Sequence, residues 1–433
     1  MTPVQVGIIG CIALLFLLGA SMPVAFSMAV VGFAGFAVIV SPSAAASIIT
    51  IDLYESFSSY SLTVIPLFVF MGQIAFHAGI SRRLFDAAYH WLGHLPGGLA
   101  MSTVGACTGF GAICGSGPAT AATMASVALP EMKRYHYDME LGCGAVAAGG
   151  SLGMLIPPSV VFIVYAILTE QSVGKLFMAG IIPGLLIGIL FCLTIYIHCK
   201  VRPQLGPAAP YIPWIAKFKS LLGVSETLIL FIVVIGGMFY GFFTPTEAAA
   251  IGAAGSIVIA SVRRKLSIKR LMKSLSETAR TSCMVMIIVT GAVIFGHFLA
   301  VTRIPFLMAS NLARLPLPGW TIMAMIILFY LVVGCFVDAL ALILLTIPIF
   351  FPVVIELGYN PIWFGVIIVV VTQMGVISPP VGVNVYVVSG IHRDVPLPKI
   401  FRGALPFLFS LILAVILLIM FPGICTFLPE LIK

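Results

Sequence analysis

Charge is scarce in this chain. Only 8% of its 433 residues are Asp, Glu, Lys or Arg, while 61% are apolar. Soluble domains carry about 25% charged and about 45–50% apolar residues. A soluble fold cannot keep so much apolar surface from water, so the chain reads as an integral membrane protein. It has room for about a dozen spans of about 20 residues. Nucleic-acid binding, soluble catalysis and secreted disulfide scaffolds are excluded at once. Closely spaced cysteine pairs are also missing. The nine cysteines include Cys11, Cys107, Cys114, Cys143, Cys192, Cys283 and Cys335, all within apolar stretches, and none forms a Cys-x-x-Cys spacing. They read as small apolar residues, not as a metal or redox site. The glycine-rich run 105–117 follows no strand and lacks the Lys-Ser/Thr of a phosphate-binding loop. No nucleotide is expected, which leaves an ion gradient as the energy source. Met1 to Ala20 lacks a basic leading segment and reads as the first span, not as a cleaved signal.

What is present is a duplication. A shift of 222 residues superposes Gly19 on Gly241, Pro23 on Pro245, Phe76 on Phe298 and Ala78 on Ala300. The same shift places Leu95-Pro96-Gly97 on Leu317-Pro318-Gly319, Pro130 on Pro352, Gly153 on Gly375 and Pro157-Pro158 on Pro379-Pro380. Apolar letters coincide by chance in such a chain, but Pro and Gly at one constant offset do not. Repeat one covers 1–200 and repeat two 224–433, joined by a basic, Pro-rich linker at 201–223. Spans are expected near 4–20, 24–40, 60–79, 140–168 and 178–198. In repeat two they fall near 225–242, 246–262, 281–300, 361–389 and 401–424. Amphipathic stretches lie at 81–91 and 303–314.

Each repeat also holds a long apolar segment with a central break, 99–130 and 318–355. Half of such a segment falls short of about 30 Å of hydrocarbon at about 1.5 Å per residue, so each reads as a re-entrant helical hairpin. Five crossings per repeat then remain, an odd number, and the two copies must be inverted. The charges test this. If both termini lie on one side, that side keeps only Lys175, Arg303, Arg314 and Lys433 of the 22 Lys and Arg, and the opposite side holds all the others. The positive-inside rule places the basic side in the cytoplasm and both termini in the periplasm. The basic cluster Arg263-Arg264-Lys265 with Lys269-Arg270 reads as a topology determinant, with anionic lipid headgroups as a second reading.

The fold class is therefore an all-α polytopic membrane protein with two inverted repeats, and its chemistry belongs at the breaks. A break at membrane depth frees N–H and C=O groups that lipid cannot satisfy. Freed carbonyls suit a hard cation such as Na⁺, and half-helix N-termini suit a carboxylate. Four breaks qualify. The hairpin tips are Cys114-Gly115-Ser116-Gly117-Pro118-Ala119-Thr120 and Gly334-Cys335-Phe336-Val337-Asp338-Ala339. The broken spans are Gly153–Ser159 and Gly375–Asn384, each holding a Pro-Pro pair. The substrate-contact candidates are Ser116, Gly117, Thr120, Ser159, Ser378 and Asn384. Na⁺ is expected near Gly115, Ser116, Leu155, Pro157, Asp338, Ile377, Pro379 and Gly382. Asp338, which coincides with Ser116 under the shift, is the one acid deep in an apolar segment. It reads as a cation ligand, or as a carboxylate that caps a half-helix. His77, His297 and Glu247 sit near span ends and read as interface anchors or satisfied hydrogen-bond partners, with proton coupling as the alternative. One deep acid and scattered histidines give no convergent set for an intramembrane enzyme.

Several runs resemble the large membrane subunit of TRAP (tripartite ATP-independent periplasmic) transporters. They are Gly115-Ser116-Gly117-Pro118-Ala119-Thr120-Ala121-Ala122, Pro130-Glu131-Met132-Lys133-Arg134, Gly150–Ser159, Leu176–Gly184, Gly334–Asp338 and Ser378–Gly382. The likeness covers essentially the whole chain. His136 departs from it, since the family has glycine there before an aromatic residue, and that departure concerns the loop turn. The resemblance implies Na⁺-coupled uptake of an organic anion, typically a carboxylate such as a C4-dicarboxylate or sialic acid. It also implies a periplasmic binding protein that delivers the substrate, a separate small membrane subunit of about four helices, and an elevator-type movement of the hairpins and broken spans. The alternative is a self-sufficient Na⁺/dicarboxylate symporter of similar fold.

Overall fold

The computed structural model describes residues 2–431 apart from Ser21, Tyr211 and 315–317, and gives the backbone alone at 309 and 311–314. Leu317 of the superposed triplet and Lys433 of the charge tally lie outside the described residues. Every regular element among the described residues is helical. The first half contains α1 (Pro3–Gly19), α2 (Val24–Ile39), α3 (Pro42–Ser58), α4 (Val64–His77) and α5 (Ile80–Leu92). It continues with α6 (Gly98–Cys114), α7 (Gly117–Arg134), α8 (Met139–Ser151), α9 (Val160–Thr169) and α10 (Val173–Val201). The connection holds α11 (Trp214–Leu222). The second half contains α12 (Ser225–Phe239), α13 (Pro245–Val262), α14 (Ile268–Thr302), α15 (Ile304–Arg314) and α16 (Gly319–Gly334). It ends with α17 (Ala339–Glu356), α18 (Pro361–Ile377), α19 (Val383–Ile391), α20 (Leu397–Met420) and α21 (Gly423–Glu430).

Local signals repeat along with the letters. Helices α7 and α17 begin at 117 and 339 and end at 134 and 356, a constant separation of 222. Asp138 and Asn360, also 222 apart, cap α8 and α18. Each accepts from two backbone N–H groups, at 2.6 and 3.2 Å for Asp138 and at 2.8 and 3.1 Å for Asn360. Such a cap satisfies donors that the first helical turn leaves open.

Three features depart from the sequence expectation. First, α3 was not anticipated, nor were the 13 residues of α14 before position 281, because their mixed polarity hides them from a search for apolar runs. The 35-residue α14 extends about 52 Å at about 1.5 Å per residue, well beyond the hydrocarbon. The corresponding stretch of the first half is divided into α3 and α4, with a bend of 55° between them. Second, the first hairpin runs past its expected end at 130, to Arg134. Pro130 sits inside α7, and Pro348 and Pro352 inside α17, without ending either helix. Both limbs reach 18 residues, about 27 Å. Among the described residues, by length and composition, α17 joins α10, α13, α14 and α20 as a helix able to cross a membrane, and counting each of the bent pairs α3–α4 and α11–α12 as one span gives up to seven.

Third, the linker is strapped down. Gly97 N donates to Gly206 O at 2.9 Å and Asp138 N to Leu205 O at 2.9 Å. The Tyr137 hydroxyl donates to Pro207 O at 2.8 Å. Helix α11 docks on α5, where Trp91 Nε1 donates to Lys217 O at 3.2 Å.

Two groups of helices pack against each other. In one, α14 lies on α2, α3 and α4, and α4 also packs on α13. In the other, the halves interlock: α9 packs on α17, and α19 packs on α7 and α8. Each broken segment thus rests on the hairpin of the opposite half. Outward-facing side chains stay apolar, with Leu15, Phe16, Ile189 and Phe409 all at least 65% exposed. That surface is suited to lipid and not to water.

Candidate functional site

The first hairpin turns at Gly115, whose φ of +65° is left-handed and favours glycine. Ser116 precedes α7 in extended conformation, and its side chain makes no capping hydrogen bond. The tip is bonded to the first break, with Val160 N donating to Gly115 O at 3.3 Å. The second tip meets the second break in the same way, with Val381 N donating to Cys335 O at 3.2 Å. Both Pro-Pro peptide bonds, 157–158 and 379–380, are cis. Close approach sets the glycines at the breaks. A Cβ on Gly153 would lie 2.6 Å from Thr120 Oγ1 and 2.9 Å from Ser116 O, and one on Gly375 would lie 2.4 Å from Gly334 O.

Both tips open into one cavity of about 660 Å³. Residues 114–119 of the first tip and 338–341 of the second line it, facing α2, α4 and α14. Its polar side chains are Gln73, Ser116, Thr281 and Asp338, and among the described residues no Lys, Arg or His lines it. Asp338 caps a helix and also lines the cavity. Its Oδ2 accepts from Leu340 N at 3.1 Å, capping α17, and the carboxylate faces the cavity. The two half-helix N-termini in the cavity therefore differ. Helix α17 has its positive end neutralised by Asp338, whereas α7 presents backbone N–H groups that no side chain occupies.

The other expected contacts lie behind this wall. Thr120 is buried and its hydroxyl donates to Ser116 O at 2.8 Å. Ser159 is buried as the cap of α9, accepting from Phe162 N at 3.3 Å and donating to Met154 O. The Ser378 hydroxyl donates to Met374 O at 2.6 Å. Asn384 Nδ2 donates to Ala147 O at 3.0 Å, while its Oδ1 is buried without a hydrogen-bond partner. Gly115, Ser116, Gly117 and Asp338 line the cavity; Leu155, Pro157, Ile377, Pro379 and Gly382 do not. Leu155 O instead packs against Gly180 of α10. Among the described residues no three His, Cys, Asp or Glu side chains converge. The sequence reading missed Gln73 and Thr281. Gln73 left a signal, being an amide inside the apolar 60–79 span; Thr281 left none.

The span end residues pair across helices. His77 Nε2 lies 2.9 Å from Glu277 Oε2, and His297 Nε2 lies 3.2 Å from Asp52 Oδ1. Glu247 closes a capping box with Thr244 at the start of α13. All three act as satisfied partners.

The model of the tripartite ATP-independent periplasmic transporter DctM component matches residues 9–424. The chain belongs to this family. It is 40% identical over 387 residues to a C4-dicarboxylate TRAP transporter large permease protein of Pseudomonas aeruginosa, covering 88% of this chain and 89% of that one. It is 36% identical over 422 residues to an isethionate TRAP transporter permease protein of Oleidesulfovibrio alaskensis, covering 94% of this chain and 64% of the longer relative. Among solved structures, the Alcanivorax borkumensis YdaH transporter superposes with a TM-score of 0.59 at 16% identity, over 86% of this chain and 87% of that one. At that identity the likeness is one of fold. As a TRAP large subunit the chain is a multi-pass membrane transport protein, and the helix-only architecture agrees.

Proposed function

We propose that this subunit carries an organic acid, a C4-dicarboxylate or another carboxylate such as sialic acid, across the bacterial inner membrane together with Na⁺. A periplasmic binding protein delivers the substrate and a small membrane subunit of about four helices packs beside the chain. Support for a small partner subunit comes from the relatives named large permease proteins of TRAP transporters. In this reading the halves are inverted repeats with periplasmic termini. The ten crossings are α1, α2, α4, α8 with α9, and α10, then α12, α13, α14, α18 with α19, and α20.

One observation carries the reading: both hairpin tips line a single, partly open cavity beside α4 and α14. Tips of fully crossing limbs would lie at the membrane surfaces, so the placement supports re-entrance. The two tips then have different duties. The substrate carboxylate binds at the N-terminus of α7, at Ser116 and Gly117, where the helix end is positive and free. Na⁺ binds beside Asp338 and at the tip–break junctions near Gly115, Leu155, Pro157, Ile377, Pro379 and Gly382. There the cation offsets the acid in a cavity lined by no basic side chain. Thr120, Ser159, Ser378 and Asn384 hold the tips and breaks in place from behind. Hairpins and broken segments then move as one body past α2, α4 and α14. Similarity to subunits of tripartite systems weighs against a self-sufficient symporter.

The test is uptake into proteoliposomes holding this chain and its small subunit, with an imposed Na⁺ gradient and a panel of succinate, isethionate and N-acetylneuraminate. Uptake that needs both Na⁺ and the binding protein is expected. Uptake without the binding protein would establish the self-sufficient reading instead.

A further inference from the structure

The cavity has a third polar wall that neither hairpin supplies. We propose that Gln73 of α4 and Thr281 of α14 bind the substrate while the cavity faces the cytoplasm, and form its last protein contact before release. The inference rests on the transport reading above. His77 and Glu277 lie one helical turn from these residues, at i+4 of Gln73 and i−4 of Thr281, so each pair shares a helix face. The 2.9 Å contact between His77 Nε2 and Glu277 Oε2 locks α4 and α14 in register. One turn further in, about 6 Å along each helix, Gln73 and Thr281 reach the cavity together. The cytoplasmic side is assigned by charge. Arg82 and Arg83 follow α4, Lys269, Arg270 and Lys273 lie in the first two turns of α14, and Arg280 directly precedes Thr281.

The chemistry suits an acid substrate. The Gln73 amide donates two N–H groups and the Thr281 hydroxyl one O–H, all neutral. Neutral donors hold a carboxylate or hydroxyl oxygen without the affinity of an ion pair, which favours release. These residues sit on α4 and α14, outside the interlocked hairpin group, so a substrate carried away by the tips loses them. Their contribution therefore belongs to one side of the membrane.

The experiment compares the complete transporter with Gln73→Ala, Gln73→Glu and Thr281→Val, using whichever member of the succinate, isethionate and N-acetylneuraminate panel the unmodified protein takes up. Binding-protein-dependent uptake reads the periplasmic side, and counterflow in inside-out vesicles reads the cytoplasmic side. Gln73→Ala and Thr281→Val are each expected to raise the cytoplasmic half-saturation by about five-fold, the loss of one net hydrogen bond. Uptake half-saturation and Na⁺ dependence should stay unchanged. Gln73→Glu, of equal size but anionic, should raise the cytoplasmic value further. Equal losses from both sides would indicate a purely structural role and overturn the inference, as would no change from either side. Failure of the unmodified protein to take up any panel member would instead strike the transport reading.

Discussion

The two hairpin–break units share a break glycine and a cis Pro-Pro bond, and each has a hydrogen bond from break to tip, yet their surroundings differ. In the first unit Pro157 and Pro158 are buried, and Pro158 shares a small internal void with Thr227, Leu230 and Phe231 of α12. In the second unit Pro379 and Pro380 are exposed, and Phe336 at the tip is 60% exposed. Helix α1, the counterpart of α12, packs on α2 and α14 and leaves the second unit uncovered. Duplicated sequence thus yields duplicated local structure in unequal tertiary settings. A transporter with two alternating arrangements has this property in either of them: one copy of the repeat is covered while the other is not. In the proposed movement the two units exchange environments.

The comparison is broken most severely at the glycines that let each break touch its hairpin. Gly153→Ala and Gly375→Ala each force a Cβ against hairpin atoms. Both should abolish uptake and lower stability by about 1–3 kcal/mol, the usual cost of overpacking. Gly375→Ala should be the worse, since it meets rigid backbone where Gly153→Ala meets a side-chain hydroxyl first. Thermal unfolding in detergent with parallel uptake assays would rank them.

The next largest effect separates the two tips chemically. Asp338→Asn removes the one charge in the cavity while keeping a cap for α17, and should cut Na⁺-driven uptake by about ten-fold or more, an ion contact being worth more than about 1.4 kcal/mol. Ser116→Ala at the equivalent position should cost less than about ten-fold, as for a neutral hydrogen bond. Uptake measured against Na⁺ concentration checks both; an unchanged Na⁺ dependence in Asp338→Asn would remove Asp338 from the coupling site.

A smaller difference lies at the turns that follow the hairpins. His136 and Gly358 are 222 apart and both left-handed, at φ +57° and +75°. Only the second is glycine, the residue that tolerates this conformation. His136→Gly should stabilise the protein by up to about 1 kcal/mol, and Gly358→Ala should destabilise it by about the same amount. Calorimetry of both variants would show opposite signs.

The smallest effect concerns an ion pair with no counterpart across the shift. Lys133 Nζ, at the end of α7, lies 2.6 Å from Asp394 Oδ2, and His392 bonds the other oxygen. These partners hold the Asp394 carboxyl down to about 2. A depressed carboxyl stabilises the fold above its ordinary titration near pH 4, and that contribution fades as the pH falls toward 2. Asp394→Asn should therefore be slightly less stable than the unmodified protein at pH 7, with most of the difference gone by pH 2. Because the pair is exposed, screening by salt should reduce the difference further.

The sequence by itself determined the class and the breaks. Apolar excess, Pro-Pro pairs and glycines act through local rules: burial from water, a lost backbone donor, a permitted left-handed angle. Asp138 and Asn360 cap equivalent helices because capping needs only a side chain and the next turn. Tertiary structure alone decided which breaks face the cavity. Ser159, Ser378 and Asn384 read like Ser116, as polar residues at a break, but their hydroxyl or amide N–H groups are spent on carbonyls behind the wall. Gln73 and Thr281 reach the cavity because α4 and α14, some 200 residues apart, are held in register. The covering of Pro158 and the exposure of Pro380 were likewise beyond reach of the letters. Equivalent residues have equivalent local geometry, and only long-range packing makes their surroundings unequal.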